Sequence, residues 1–212
     1  KHDYKASFMA KPFLDSAGNG MHIHLSILDK ERKNIFDDGS HKGSKKIQNA
    51  IGGLLDTMSE STLIFAPHLN SYRRLEPGSH APTSVCWGYE NRTAALRVPG
   101  GNSRSRRIEH RVAGADANPY LVAAAVLSGA LHGINMSVEP SRPLDGDSYS
   151  KIFPQIPANW SKAIQTFQKS KLNKLFYSEV FVEVFKNYKE QELETFASRM
   201  EDFEISTYLD FV

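Results

Sequence analysis

The sequence predicts an α+β fold, in which strands come first and helices cluster later in the chain. Residues 21–28 alternate between apolar and polar side chains, which is the pattern of a half-buried strand. The remaining strand candidates end by residue 112, and beyond that point the apolar spacing is helical. Segregation of strands from helices along a chain favours α+β over a repeating βαβ arrangement.

Composition and charge narrow the class of protein. At 212 residues the chain is long enough for one sizeable domain, and its net charge of +2 provides no global field for nucleic acid or an anionic membrane. The single cysteine, Cys86, excludes an internal disulfide framework and suits a reducing cytoplasm. The apolar stretch from Leu121 to Leu131 is too short to span a bilayer. We therefore expect a cytoplasmic protein, and the first residue, Lys1, indicates a fragment or a processed product.

The first third of the chain reads as two strands, a loop and a helix. Residues 7–13 form the first strand candidate, and residues 14–20 are rich in the Gly, Asn and Asp that favour a tight turn. The strand at residues 21–28 follows. Residues 30–45 are polar and read as a surface loop, whereas the apolar residues of 46–62 recur at helical spacing.

The middle of the chain reads as a loop followed by two strands. Residues 68–82 carry Pro77-Gly78 and read as an irregular loop. A strand candidate from Thr93 to Val98 ends at a Pro-Gly-Gly sequence, and a second candidate runs from Arg106 to Val112.

Helices account for most of the remaining chain. Asn118-Pro119 supplies an N-cap and a first-turn proline for a helix over Tyr120–Leu131, which is expected to stop near Gly133. Residues 160–203 read as successive helices broken near Leu172-Asn173.

Arginine is the strongest chemical signal in the sequence. The interval from residue 73 to residue 111 contains no lysine and eight arginines: Arg73, Arg74, Arg92, Arg97, Arg104, Arg106, Arg107 and Arg111. The planar guanidinium fork matches carboxylate and phosphate oxygens, whereas a nucleic-acid patch normally mixes lysine and exposed aromatic residues. The cluster therefore predicts a defined oxyanion site. Arg104 is the exception, because a Gly/Ser-rich loop favours a solubilising surface role for it.

Two strand candidates place polar side chains on one face each. On the later strand, Arg107, Glu109 and Arg111 share a face; on the earlier strand, the side chains that share the polar face are His22, His24 and Ser26. A cross-strand ladder of ion pairs explains the first set. Alternatively, Glu109 and histidine hold a divalent metal, and Mg²⁺ or Mn²⁺ is the natural choice if phosphates complete its ligands.

Several motifs in order make the sequence similar to the glutamine synthetase family, with the glutamate–polyamine ligase branch nearest in character. The matching segments are Phe8-Met9-Ala10-Lys11-Pro12, Met21-His22-Ile23-His24-Leu25-Ser26, Asn70-Ser71-Tyr72-Arg73-Arg74, Asn91-Arg92, Arg97-Val98-Pro99, Arg107-Ile108-Glu109 and Ala117-Asn118-Pro119-Tyr120-Leu121. These segments are distributed from residue 8 to residue 121 of the 212 residues, and the ending IEHR-x-x-GADANPYL is typical of the polyamine branch.

This resemblance implies a glutamine synthetase/guanido kinase-like catalytic domain, with a curved, mainly antiparallel sheet and helices packed on one side. Residues 1–212 would form the C-terminal part of that domain, without the N-terminal β-grasp domain and the early catalytic strands. The family takes further metal-binding glutamates from those early strands and completes each site with a neighbouring subunit, in stacked, dodecamer-like rings. The chain alone is therefore expected to bind nucleotide weakly and to catalyse nothing.

The resemblance also implies an activity and a role for individual residues. The family activates the γ-carboxylate of glutamate with ATP and a divalent metal, Mg²⁺ or Mn²⁺, as γ-glutamyl phosphate, which an amine then attacks. The corresponding assignments are His22 and Glu109 for the metal; His24, Ser26, Arg97 and Arg107 for the nucleotide; Arg92, Arg97, Arg107 and His80 for catalysis; and Gly18, Arg74, Arg92 and Arg111 for substrate.

Two departures from the family pattern point to the second substrate. Ala17 replaces an asparagine that helps to seat the amino group of glutamate in true glutamine synthetases. His80 replaces a flap glutamate that takes a proton from ammonium, and a neutral imidazole attracts ammonium less than a carboxylate does. The sequence therefore favours a primary amine, such as the end of a polyamine like putrescine, over ammonia.

Three alternatives to a glutamate–polyamine ligase are each disfavoured by the sequence. A glutamine synthetase that uses ammonia is disfavoured by His80 and Ala17. An inactive scaffold member of the family is disfavoured because it would have no physical reason to keep an uncompensated arginine cage. A nucleic-acid-binding protein is disfavoured by the near-neutral charge and the absence of lysine from the cluster.

Overall fold

Four short strands form one mixed sheet in the order β1-β4-β3-β2. The computed structural model describes residues 2–199 and 206–207 of the chain. The strands are β1 (Ile23–Leu25), β2 (Trp87–Tyr89), β3 (Leu96–Val98) and β4 (Ile108–His110). Strand β4 is antiparallel to both β1 and β3, whereas β2 runs parallel to β3. The expected α+β class and the mainly antiparallel sheet are confirmed.

The described residues also form seven helices. Their bounds are α1 Lys45–Met58, α2 Thr62–Phe65, α3 Leu69–Arg74, α4 Pro119–Met136, α5 Trp160–Lys169, α6 Lys171–Tyr177 and α7 Glu179–Ala197, and 3₁₀ turns occur at Ser103–Ser105 and Ser148–Ser150. The predicted helix over 46–62 corresponds to α1, which ends at Met58, and α2 begins only at Thr62. The expected loop at 68–82 was wrong over its first half, because α3 occupies it.

The helical tail breaks at Ser170, close to the predicted break near Leu172-Asn173, and again at Ser178. Ser170 Oγ accepts a hydrogen bond from Asn173 N at 2.9 Å, and Ser178 Oγ accepts one from Phe181 N at 3.3 Å. Each serine therefore caps the N-terminus of the helix that follows it. The last predicted part of the tail, residues 200–203, lies outside the described residues.

Two strand predictions differ from the structure. Residues 7–13 do not form a strand, because their backbone is bound by side chains: Lys11 N donates to Asn70 Oδ1 at 2.8 Å, and Asn70 Nδ2 donates to Lys11 O at 2.9 Å. Strand β2 was not predicted. Its central residue, Gly88, weakens a strand pattern, and a Cβ there would lie 2.7 Å from Leu144 O.

Helix α4 begins as predicted and ends later than predicted. Asn118 Oδ1 accepts from the backbone N–H groups of Tyr120 at 3.0 Å and Leu121 at 3.3 Å, which confirms the N-cap. The helix passes Gly133 and stops at Ser137, which has a left-handed φ of 53°. Gly133 is required by packing: a Cβ there would lie 2.6 Å from Gly53 N and would also meet the backbone of α1 at Asn49 O.

The predicted apolar stretch, Leu121–Leu131, lies within the longer helix α4. By length and composition alone, this 18-residue helix is the one among the described residues that is apolar enough to cross a bilayer. Core helices of soluble proteins share this length and composition. One face of α4 is buried in the fold through Val122, Ala125, Val126, Gly129, Ala130 and Gly133.

The two faces of the sheet have different environments. Ile23, His110 and Leu96 are paired in register across β1, β4 and β3, and the His110 ring packs 4.5 Å from the Phe65 ring of α2. The neighbouring row, which consists of His24, Glu109 and Arg97, is on the opposite face because side chains alternate along a strand. One face therefore enters the hydrophobic core, and the other carries the polar side chains.

Burial of His110 makes the stability of the chain sensitive to acid. Burial, helped by the charge of His22, lowers the pKa of His110 to about 3. The unfolded histidine has a pKa of about 6.5, so the unfolded state binds one more proton between these two values. The contribution of His110 to the free energy of unfolding is therefore full well above pH 6.5. As the pH decreases below 6.5, this contribution falls by about 1.4 kcal/mol per pH unit until about pH 3.

A valine at this position is expected to remove that sensitivity. Between pH 6.5 and 4.5, the His110→Val variant should keep about 2.3 kcal/mol that the original chain loses. Denaturant unfolding at both pH values, followed by circular dichroism, measures the difference. Equal losses in the two proteins would show that His110 does not titrate as its burial requires.

Candidate active site

Glu109 lies at the centre of the polar face of the sheet. Its carboxylate accepts from Arg97 NH1 at 2.8 Å, lies 3.1 Å from His22 Nδ1 and lies 3.6 Å from Arg111 NH1. The side chain is only 5% exposed. Adjacent strands position these groups, because His24, Glu109 and Arg97 are paired in register across β1, β4 and β3. The expected cross-strand ladder of charges is therefore present.

Charge and burial oppose each other at Glu109 and His22. Burial disfavours the ionised form of Glu109, but the hydrogen bond from Arg97 and the charges of Arg111, Arg97 and His22 outweigh burial and lower the pKa of the carboxyl group. Burial and the charge of Arg111 lower the pKa of His22, although Glu109 acts in the opposite direction. An ionised carboxylate therefore faces an imidazole that is held toward its neutral form.

Arg111 lies beside Glu109, and its guanidinium is largely buried. Burial lowers the pKa of Arg111; the charge of Glu109 opposes this change, and the charges of Arg97 and Arg92 add to it. Arg92 is exposed but close enough to act on Arg111 electrostatically. The arginines thus form a region of excess positive charge around one carboxylate.

Arg74 is buried beneath the turn that precedes β1. Its NH1 donates to Val112 O at 2.7 Å, and its NH2 is 3.3 Å from Arg111 O. Burial lowers the pKa of Arg74 to about 10. A Cβ at Gly18 would lie 3.0 Å from Arg74 Cγ, and one at Gly20 would lie 2.8 Å from NH2. The glycines of the turn therefore allow the backbone to lie directly on this side chain.

The polar residues in and directly beside β1 lie on the same face of the sheet as Glu109. His22, His24 and Ser26 are exposed, whereas Leu25 is buried, which confirms the predicted alternation. Arg107 Nε donates to His24 Nδ1 at 3.0 Å, and Arg107 NH1 donates to Ser105 O at 2.9 Å. The structure thus brings together His22, His24, Arg97, Arg107, Glu109 and Arg111, with Arg74 beneath them.

The other arginines of the cluster are placed differently. Arg106 has a structural role, because it donates to Asp37 Oδ1 at 2.9 Å and to the carbonyl oxygens of Ser40 and His41. Arg104 is exposed and lines a cavity of about 670 Å³ together with Arg32 and Lys33. Arg73 is exposed on α3.

His80 lies in the segment between α3 and β2, outside the contacts around Glu109. It is exposed and has a left-handed φ of 62°. Ser79 Oγ lies 2.6 Å from both Arg74 O and Glu76 O, which ties the start of this segment to the end of α3. Tyr149 Oη donates to Ala81 O at 2.8 Å and holds the other end. His80 is therefore presented between two anchored points.

Sequence reasoning did not identify two residues beside this site. Tyr149 anchors the segment that carries His80, and an isolated tyrosine in a polar stretch gives no signal for that role. Glu90 Oε2 accepts from Arg97 NH2 at 2.6 Å. Glu90 is one of only three carboxylates in the lysine-free interval from residue 73 to 111, the others being Glu76 and Glu109. That scarcity could have identified Glu90 as an arginine partner.

The donor chemistry fits part of a divalent metal site. The imidazole of His22 and the carboxylate of Glu109 converge at 3.1 Å, and both are in the forms that bind metal. Within residues 2–199 and 206–207, however, no cluster of three or more His, Cys, Asp or Glu side chains is suited to hold an ion. The described part of the chain therefore offers two ligands at this point, and Mg²⁺ or Mn²⁺ requires about six.

Comparison with known proteins places this geometry in a family context. The family described as the glutamine synthetase catalytic domain matches residues 1–208. The chain is 38% identical over 209 residues to gamma-glutamylputrescine synthetase PuuA of Escherichia coli K12, and the match covers 99% of the chain and 44% of that protein. It is 38% identical over 199 residues to gamma-glutamylethanolamide synthetase GlnA4 of Streptomyces coelicolor, covering 94% and 42% of the two proteins.

A solved structure supports the same relationship. Apo GmaS without ligand aligns at a TM-score of 0.86 and 30% identity, covering 96% of the chain and 48% of that protein. The chain therefore spans less than half the length of each of these three relatives. The family match over residues 1–208 includes the strands and arginines described above.

Proposed function

Because the chain belongs to the glutamine synthetase family, we propose that it is the C-terminal catalytic part of an ATP-dependent ligase that joins the γ-carboxylate of glutamate to an amine. The observation that carries the proposal is the buried carboxylate of Glu109, ionised and in contact with His22, Arg97 and Arg111. The N-terminal domain, the early catalytic strands and the ring-shaped homo-oligomer belong to the full-length protein in this proposal, as does a cytoplasmic location.

In the first step, a γ-carboxylate oxygen of glutamate attacks the γ-phosphorus of ATP, which gives γ-glutamyl phosphate and ADP. Both reactants are anions, so the protein must hold them together against repulsion. Arg92, Arg97 and Arg107 are assigned to the transferred phosphoryl group, and Arg74 and Arg111 to the glutamate. This role is supported by the excess of guanidinium groups over carboxylates on this face.

His22 and Glu109 are the residues of this chain that would hold a divalent cation, Mg²⁺ or Mn²⁺. When bound, such an ion supplies positive charge that offsets the repulsion between phosphate oxygens. Further ligands come from the rest of the full-length protein in this proposal. His24 and Ser26 would contact the nucleotide, which is supported by their exposure on the same face as His22.

In the second step, the nitrogen of a neutral amine attacks the acyl carbon, the bond to phosphate breaks, and the proton lost by nitrogen is transferred to a base. His80 is assigned as that base, with an imidazole in place of a carboxylate. Gly18 would let the turn backbone approach the glutamate, which is supported by its close packing on Arg74. The acceptor we propose is a polyamine end such as that of putrescine, which the similarity to PuuA supports.

The second substrate can be identified with the full-length enzyme, glutamate and ATP by measuring ADP release. We expect putrescine to support turnover with a higher kcat/KM than ethanolamine, isopropylamine or ammonium. The His80→Glu variant should raise the ratio of kcat/KM for ammonium to that for putrescine by at least about tenfold, because a carboxylate attracts ammonium.

His41→Glu is the matched control, because it adds the same charge at an exposed histidine of another loop. It should leave the ratio unchanged. If ammonium alone supported turnover of the unmodified enzyme, the polyamine assignment would be wrong. An equal shift in both histidine variants would show that the effect is general charge and not the position of His80.

A further inference from the structure

Arg97 is held between two carboxylates rather than one. Its NH1 donates to Glu109 Oε2 at 2.8 Å and its NH2 to Glu90 Oε2 at 2.6 Å. The two acids differ in environment, because the Glu109 side chain is 5% exposed and that of Glu90 is 55% exposed. Arg97 therefore bridges from the buried centre of the site to its rim.

The backbone fixes Glu90 in this position. Glu90 directly follows β2, has a left-handed φ of 50°, and its N–H donates to Val98 O at 3.0 Å. Its Oε1 accepts from Gly100 N, in the turn that follows β3. A Cβ at residue 100 would meet this carboxylate oxygen, so a larger residue there would displace the Glu90 side chain. One carboxylate thus connects the ends of two neighbouring strands to the guanidinium.

Arg97 and the proposed divalent cation would share one carboxylate. Arg97 donates to Oε2 of Glu109, and His22 lies 3.1 Å from Oε1. A cation beside His22 that takes both oxygens of Glu109 would therefore displace the guanidinium from Oε2. An arginine without a second partner would then carry an unpaired charge beside the cation, which is unfavourable at a partly buried site.

We propose that Glu90 is a positioning residue that keeps Arg97 at the site when Glu109 turns to the metal. Glu90 retains one nitrogen of the guanidinium, so the side chain can swing away from Glu109 without leaving the phosphoryl site. Its negative charge also offsets the guanidinium as the cation arrives. This inference rests on the proposed function, because it requires a metal at Glu109.

The test is Mn²⁺ binding to the full-length enzyme without nucleotide, measured from the electron paramagnetic resonance signal of free Mn²⁺. Glu90→Gln keeps an oxygen that can accept from Gly100 N but removes the charge that holds Arg97. We expect its Kd for Mn²⁺ to rise at least about fivefold, a change of about 1 kcal/mol. Glu90→Asp should recover part of the affinity, and Glu139→Gln, at an exposed surface ion pair with Lys45, should bind like the unmodified enzyme.

A double-mutant cycle separates the positioning role from a general effect of charge or folding. Arg97→Gln removes the competitor of the metal and should bind Mn²⁺ at least as tightly as the unmodified enzyme. Adding Glu90→Gln to Arg97→Gln should then change little, because Glu90 acts through Arg97. Steady-state kinetics should show the loss in Glu90→Gln as a lower kcat, with a smaller change in the KM for ATP.

The outcomes are distinguishable. An unmodified enzyme that binds no Mn²⁺ would overturn the proposed function together with this inference. If the unmodified enzyme binds Mn²⁺ and Glu90→Gln binds it equally well, only the role of Glu90 is overturned. A Glu90→Gln effect that persists at full size in the Arg97→Gln background would also overturn it, because Glu90 would then act on the cation without Arg97.

Discussion

Replacing Glu109 with alanine in the full-length enzyme is expected to remove nearly all metal-dependent phosphoryl transfer. The expected decrease in kcat is about a hundredfold to a thousandfold. That range is typical for the loss of one preorganised electrostatic group. The reason is local: Glu109 is the one carboxylate that His22, Arg97 and Arg111 share among the described residues. Its removal takes away a proposed metal ligand and leaves two guanidinium groups facing each other. ADP release in the presence of glutamate and amine measures the effect.

The interpretation needs a variant that preserves the shape of the site. Alanine leaves the buried Arg111 without its carboxylate partner, which can cost about 3–5 kcal/mol of stability. Glu109→Gln keeps an oxygen acceptor for Arg97 NH1 and should fold with an unchanged circular dichroism spectrum, yet be nearly as inactive. Glu139→Gln, on the surface beside Lys45, is the control for loss of a carboxylate and should retain activity. Full turnover in Glu109→Gln would remove this residue from the chemistry.

Gly133→Ala is expected to destabilise the chain by about 1–3 kcal/mol, because it inserts a methyl group between two helix backbones. A Cβ at residue 133 would lie 2.6 Å from Gly53 N and would overlap Asn49 O. Neither atom belongs to a side chain that can rotate away, so α1 and α4 must separate. The gain in helix propensity from glycine to alanine, about 1 kcal/mol, offsets only part of this cost. Denaturant unfolding measures the difference.

Gly129→Ala on the same helix provides a graded comparison. Its Cβ would lie 2.6 Å from Thr57 Oγ1, which is a side-chain atom, and 3.3 Å from Leu54 Cδ2. A hydroxyl that now donates to Gly53 O at 2.9 Å can change rotamer, at the cost of that hydrogen bond. We therefore expect a smaller loss than for Gly133→Ala. Equal stability of Gly133→Ala and the unmodified chain would show that the helices are not in close contact at this point.

Local patterns correctly predicted the elements whose signal is contained in neighbouring residues. The alternation over 21–28 placed β1, and Asn118-Pro119 placed the start of α4 with its cap. Patterns failed where a distant contact decides the conformation. Residues 7–13 bind the side chain of Asn70 instead of a strand, and Gly133 serves the packing of two helices instead of ending one.

The candidate site divides in the same way. Residue types and order were enough to single out His22, Glu109 and the arginines, because a lysine-free cluster and family motifs can be read directly from the chain. The distances between side chains on different strands could not be read from the sequence. The pairing of Glu109 with Arg97 and of Arg107 with His24 depends on the register of β1, β3 and β4.

By itself, the sequence determined the α+β class, the family and an excess of arginine over carboxylate around one glutamate. Only the tertiary structure decided how that charge is distributed. Arg106 binds Asp37 in a structural contact, and Arg74 is buried beneath the turn before β1. Arg97 is paired with both Glu109 and Glu90. Charge is a property of each residue and can be read from the sequence. Burial and pairing arise only when strands that are far apart in the chain lie side by side. Burial and pairing together determine the energy of each ion pair.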